Sequence, residues 1–300
     1  MRALALTLLV ACSSKPQSEP TAIGSDFGDL TVWIDAEQGL LVSRDDEELS
    51  WIRPEQFQVR QATASYDMRF GSFLIEETSE EGEELTEDDW VSGHRMSDFI
   101  PFDDRIQFTV RDIDDEVITV GEVISHADDH ISIELLADNN RIKVGMACAE
   151  DDHLVGLGSQ ARDVDHMGKD VFLFVTEPGV GKSDDNVPTG DWMITGQRSA
   201  ASLSIPGWVT SRGSAWRLET DYYANLDVCA ADPDVMTIEV WESVMVLHLF
   251  DGPEPLEARA AMLDWVGRPP MPPTWAFAPW NDALFGTENV LAFANFLRDN

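Results

Sequence analysis

His126 and His130 lie four residues apart in His126-Ala127-Asp128-Asp129-His130, a spacing at which two imidazoles on one helix face can hold zinc. The flanking residues alternate as strands do, so the segment reads as a polar hairpin turn and no metal is expected. Thr176-Glu177-Pro178-Gly179-Val180-Gly181-Lys182-Ser183 follows a good strand and approaches a phosphate-binding loop. Thr176 replaces the first glycine, however, no helix follows, Asp184-Asp185 would repel a phosphate, and Pro188 interrupts the segment. Nucleotide is therefore not an expected partner, and no cofactor is expected. No Ser/His/Asp or Cys/His set supplies a nucleophile with its base. Nine of the fourteen residues from Glu76 to Asp89 are acidic, but they lack the Asp-x-Asp-x-Asp-Gly order of a calcium loop and read as a solvated acidic loop. Ten Trp stand beside three Tyr, and indole faces stack on sugars. Trp33 and Trp241, inside apolar strands, are assigned to the core; Trp90, Trp192 and Trp208, in loop-like surroundings, are the candidates for exposure.

The 300 residues carry 56 Asp and Glu against 20 Lys and Arg, a net charge of -36. A surface this negative repels phosphate backbones, so nucleic acid is excluded as a partner. The distributed acid suits salty surroundings, where ions screen self-repulsion. Met1-Arg2 leads into an apolar run from Ala3 to Ala11, too short to span a bilayer but suited to a secretory signal. Leu9-Val10-Ala11-Cys12 resembles a bacterial lipobox, which makes Cys12 the expected lipidation site and residues 1–12 the signal. Residues 13–28 then form a flexible tether. Ser13 after the cysteine points to the outer membrane or periplasm, with membrane contact through the lipid only. Cys148 and Cys229 remain, and an oxidising compartment permits a disulfide; two buried free thiols fit the sequence equally well.

The elements needed to position chemistry are mainly strands. Leu30–Ile34, Phe57–Arg60, Ile106–Val110, Glu116–Val123, His130–Leu136 and Arg141–Met146 alternate with period two between Gly, Asp and Asn, and Val171–Val175 and Thr237–Phe250 continue the pattern. Strands at this spacing without intervening helices predict antiparallel sheets stacked as a sandwich over residues 29–268. After Gly252 the pattern changes. A helix is predicted with Leu256, Ala260, Leu263 and Val266 on its apolar stripe, stopped by Gly267 and followed by Pro269-Pro270-Met271-Pro272-Pro273. Trp275 to Trp280 reads as one buried strand, and Gly286-Thr287 caps a helix from Glu288 to about Arg298 with Val290, Phe293, Ala294 and Leu297 on one face.

Several segments resemble glycoside hydrolase family 31. His153-Leu154-Val155-Gly156-Leu157-Gly158-Ser159-Gln160 is similar to its Y-G-L-G-E segment, with Ser159 where the family has Glu. Asp165-His166-Met167-Gly168-Lys169-Asp170 with Phe172-Leu173-Phe174 resembles its R-G … W strand, and Glu177 to Lys182 its E-x-G-V-G loop, found in the subgroup that includes sulfoquinovosidases. Val209-Thr210-Ser211-Arg212-Gly213-Ser214-Ala215-Trp216 is similar to S-S-R-G-Y-G, and Leu263 to Ala276 to L-T-G-R-P-P-L-P-P-x-W-A. The resemblance implies a mainly β chain: a galactose-mutarotase-like antiparallel β-sandwich followed, over 269–300, by the first β/α unit of a truncated (β/α)8 barrel. It implies a retaining α-glycoside hydrolase acting on α-glucosides or related sugars, with two catalytic Asp beyond residue 300, so that this chain alone is inactive. Carbohydrate is then the expected substrate. Barrel sites collect at the C-terminal strand ends, which makes Trp280, Asn281 and Asp282 candidate substrate contacts. Gln160, Asp165 and Glu177, on sandwich loops that lean over the barrel in the family, are the others. The stretch Ala283–Glu288 offers an acid that would repel a sulfonate, so the sugar stays unassigned. The alternative is a non-catalytic surface lipoprotein whose sandwich binds glycans or a partner.

Overall fold

The computed structural model describes residues 21–69, 72–126, 130–149, 151–160, 163–175, 201–277 and 286–299. The chain divides into a body running through Trp265 and a second unit from Val266 onward.

The body opens with an antiparallel meander of β1 (Ala22–Phe27), β2 (Leu30–Asp35), β3 (Gly39–Arg44) and β4 (Glu47–Ile52). Thus β1 occupies residues expected to be tether. Its alternation is hidden because Gly24 carries no side chain: the Trp33 ring covers it so closely that a Cβ would lie 2.6 Å from Trp33 Cε3. β5 (Phe57–Arg60) follows, then the paired β6 (Thr63–Arg69) and β7 (Ser72–Thr78) and the two-residue β8 (Val91–Ser92). The next strands are β9 (Arg95–Pro101), β10 (Arg105–Arg111), β11 (Val117–His126), β12 (His130–Leu136), β13 (Arg141–Ala147), β14 (Leu154–Gln160) and β15 (Lys169–Leu173). After residue 200 come β16 (Ala201–Thr210), β17 (Ser214–Leu218), β18 (Ala224–Asp232), β19 (Val235–Val240) and β20 (Val244–Asp251).

Eight of these strands form one antiparallel sheet in the order β14-β16-β17-β20-β12-β11-β10-β9, and six form another, β15-β18-β19-β13-β5-β8. Strict alternation in β10 and β19 turns every second side chain inward. The two inner faces share one core: Phe57 of the six-stranded sheet meets Phe108 of the eight-stranded sheet edge to face, with ring centroids 6.1 Å apart. Gly121, opposite Phe108, leaves room for that ring, since a Cβ there would lie 2.2 Å from Phe108 Cζ. Cys148, just after β13, and Cys229 in β18 form a disulfide with Cα atoms 6.5 Å apart, which resolves the alternative left open above.

Both outer faces are partly covered. Beneath β6 and β7, Arg60 and Arg141 both bond Glu77 at 2.6 Å, and each guanidinium lies 4.3 Å above an indole, Trp90 and Trp241 respectively. Lys143 bonds Glu87 at 2.7 Å over the same Trp90 ring. The acidic run is therefore partly structural, because its carboxylates neutralise cations that the sheet has buried. Trp90 and Trp208 prove to be buried, and Trp33 is 46 % exposed, each opposite to expectation. A polar neighbourhood in sequence did not imply a surface position, because cations and hydroxyls sit beside these rings in the fold.

The outer face of the eight-stranded sheet is covered by α1 (Pro255–Val266). The helix lies where predicted, and Gly267 follows it at φ +92 as the stop. Its buried side is Ala258, Ala261, Met262 and Trp265, packed on Val209, Ala215 and Phe250, whereas Leu256 and Val266 are exposed. Both stripes have helical spacing; the small alanines let the helix approach the sheet, so packing selects theirs. In the second unit, residues Thr274–Phe277 form a single 3-10 turn with exposed Trp275 and Phe277, not the start of a buried strand. A lone strand with no ladder partners leaves its backbone groups unpaired, which a local turn avoids. α2 (Thr287–Asp299) closes the described chain, with Val290 N–H donating to Gly286 O at 3.1 Å and no residue buried.

Candidate functional site

Three segments singled out by the resemblance converge at one end of the sandwich, around β14. Gly156 and Gly158 have φ of +132 and +89, and Leu157 between them has φ +60 while fully buried. A Cβ on Gly156 would lie 2.5 Å from Gly207 O, and one on Gly158 2.1 Å from Leu203 O, so β14 approaches β16 only because both are glycine. The register slips on both sides of Gly158, and the non-glycine Leu157 holds a left-handed conformation that its packing must stabilise.

Asp152 and Asp165 pin this bulged strand at its beginning. Asp152 Oδ1 accepts from the N–H groups of His153 and Ser211 at 2.8 and 3.0 Å, and its Oδ2 accepts from Arg212 Nε at 3.1 Å. Arg212 Nη1 also donates to Glu48 O at 2.8 Å, tying the turn between β16 and β17 to β4. Asp165 Oδ1 accepts from the N–H groups of Met167 and Leu154 at 3.1 and 3.2 Å, and Oδ2 lies 2.7 Å from His153 Nδ1. Burial disfavours the ionised Asp165, but the His153 hydrogen bond and the two backbone donors outweigh it and hold its pKa below the ordinary carboxylate value. The same hydrogen bond raises the His153 pKa. His166 is buried with Nε2 3.1 Å from Gly156 O, and burial depresses its pKa.

Gln160 sits at the other end of β14, so the strand separates it from Asp165. Its Nε2 donates to Leu157 O at 2.9 Å, bracing the bulge, while its Oε1 is buried with no hydrogen-bond partner among the described residues. Trp280, Asn281, Asp282, Glu177 and Cys12 lie outside the described residues, as do Trp192 and the stretch Thr176–Ser183. Behind Asp152 and Arg212 a cavity of about 40 Å³ is lined by Ser50, Trp208, Trp216 and the disulfide. Ser50 Oγ and Trp208 Nε1 are buried without hydrogen-bond partners among the described residues. The space suits a water or two bridging these groups and is too small for a pyranose. The described cluster therefore positions backbone. Sequence reasoning passed over Asp152 and gave His166 no role of its own within its segment. Asp152 stands in an Asp-Asp-His run that looks like solvent-exposed loop, and only the fold brings it to Arg212.

No family model matches the chain. It is 28% identical over 160 residues to the sulfoquinovosidase of Agrobacterium fabrum, covering 52% of this chain and 23% of that protein. It is 23% identical over 261 residues to the sulfoquinovosidase of Escherichia coli, covering 75% of this chain and 37% of that one. Among solved structures, a family 31 sulfoquinovosidase from E. rectale in complex with an aza-sugar inhibitor has the same fold at a TM-score of 0.64 and 16% identity, over 92% of this chain and 39% of that one. The chain thus spans about a quarter to two fifths of these relatives. The shared sequence and the shared antiparallel fold make this chain a relative of glycoside hydrolase family 31 over part of the length of its members.

Proposed function

We propose that this chain is the β-sandwich portion of a retaining α-glycoside hydrolase acting on α-glucosides or related sugars. The observation that carries the reading is the fold likeness to a family 31 enzyme over nearly the whole chain. In that reading the bulged β14 and the loops pinned by Asp152 and Asp165 shape one wall of a sugar site. Trp280, Asn281 and Asp282 are further substrate contacts in this reading. The carboxylate pair of such an enzyme, one nucleophile and one acid/base about 5 Å apart, stands on the strands of its barrel. Cys12 carries a lipid that holds the protein at a bacterial membrane, and the disulfide between Cys148 and Cys229 suits that oxidising location.

The test is to sequence the locus past the codon for Asn300 and express the full reading frame. Aryl α-glucosides and α-sulfoquinovosides are then offered, with the anomer of the first product followed by NMR. Hydrolysis with retention supports the proposal. A stop codon at 301, or glycan binding by the full product without hydrolysis, sinks it in favour of a binding lipoprotein. Lipid attachment is read separately, by incorporation of labelled palmitate that Cys12→Ser abolishes.

A further inference from the structure

The segment His126 to His130 lies far from β14 and is absorbed by nothing above. Its two histidines are paired in register across β11 and β12, and a third, His248, arrives on the neighbouring strand β20, opposite Ser132. All three project from the outer face of the eight-stranded sheet, under α1. One potential ligand atom from each lies within 4.8 Å of the others. The rings of His126 and His130 are stacked with centroids 4.4 Å apart, and Phe250 stacks on His130 at 4.5 Å. Trp265, at the end of α1, covers His248 with centroids 4.4 Å apart. His130 and His248 are buried and His126 is partly so, which leaves one open side.

We infer that His126, His130 and His248 form a site for one divalent transition-metal ion of the zinc class. Three neutral imidazoles select zinc, cobalt, nickel or copper over calcium and magnesium, which take oxygen ligands. Zinc–nitrogen distances of about 2.0–2.1 Å put tetrahedral ligand atoms about 3.3 Å apart, so the rings must close by roughly 1.5 Å. Closing that gap requires the two stacked imidazoles to turn edge-on toward a common point. The surroundings already orient the rings. His248 Nε2 lies 3.2 Å from Glu219 Oε2, while its Nδ1 is buried with no hydrogen-bond partner among the described residues and is therefore the ligating atom. His126 Nε2 meets Ser132 Oγ at 2.9 Å, and Ser132 in turn donates to Glu134 at 3.1 Å. A carboxylate behind a ligating imidazole fixes its tautomer and raises its basicity. Arg217, in register with His248, opposes a cation, and Glu219, Glu134 and the net charge of -36 offset it. The fourth position is left to water on the His126 side.

The experiment is a titration of the full chain with zinc chloride by calorimetry and with cobalt chloride by visible absorption, in excess calcium. One zinc per chain and a tetrahedral cobalt spectrum are expected. His248→Ala weakens zinc by at least about 100-fold, and Glu219→Gln, an exposed change, by about 10-fold. His126→Asn, at the partly exposed ligand, loses the cobalt spectrum while the circular dichroism is unchanged, which guards against a buried variant that fails to fold. Zinc binding that calcium displaces, equal affinity in wild type and His126→Asn, or no binding at all would overturn the inference.

Discussion

Replacing Cys148 and Cys229 together by Ala should lower folding stability by about 4.5 kcal/mol. The bridge spans 81 residues, and closing a loop of that length withholds about 15 cal/mol/K of entropy from the denatured chain, which is about 4.5 kcal/mol at 25 °C. Most of the effect belongs to the unfolded state. β13 and β18 flank β19; the β13 ladder is unbroken and β18 pairs from Ala224 to Asp227, with a register shift between Asp227 and Asp232 around Cys229, so both strands are held without the bond. Both cysteines are only partly buried, so the alanines leave little cavity. Urea unfolding followed by Trp fluorescence is the assay. The variant should show a lower midpoint and a steeper dependence on urea, because its denatured chain is free to expand. By heat, the midpoint should fall by about 9–18 °C. A loss below about 1 kcal/mol with an unchanged slope would refute the reasoning, and would mean that the unfolded chain keeps these strands together without the bridge.

Glu77→Gln leaves Arg60 and Arg141 buried with one carboxylate fewer and should cost about 3–5 kcal/mol, measured by the same urea unfolding. It should also lower the pKa of Glu239, which burial and the neighbouring Glu77 charge now raise; carboxyl NMR shifts across a pH series would read this. Gly121→Ala drives a methyl group into the Phe108 ring and should cost about 1–3 kcal/mol, with Phe108→Leu recovering part of it in the double variant. The depressed pKa of His166 stabilises the fold fully above the free imidazole value of 6.5. That contribution is lost as the pH falls through the lower folded value, so His166→Gln should flatten the acid limb of a stability–pH curve.

Strands that face one core and one solvated or helix-covered surface were readable from alternation: His130–Leu136 and Phe57–Arg60 have the predicted bounds. Ala22–Phe27 was not, because its partner's ring, and no side chain of its own, covers Gly24. Aromatic positions were the least readable. Trp90 is buried by the cations of two other strands, and Trp208 stacks parallel to Trp216 across a strand pair, neither of which shows in local sequence. Periodicity placed α1 but not its buried side, since Ala, Leu and Met occupy most of its circumference. Of the candidate contacts, Gln160 and Asp165 came from family resemblance, and the structure separates them along β14. The third histidine beside His126 and His130 could not be found by spacing, because it comes from a strand more than a hundred residues later.

The irregular backbone of β14 has a counterpart at the far side of the same sheet. β9, the opposite margin, carries Asp98 at φ +54, a register slip against β10 and a terminal Pro101. β8, at the margin of the six-stranded sheet, is two residues long. Kinked, charged or truncated margins offer no straight row of N–H and C=O groups for another molecule's strand to extend. Sheets built this way resist fibrillar growth from these margins even when the protein is crowded.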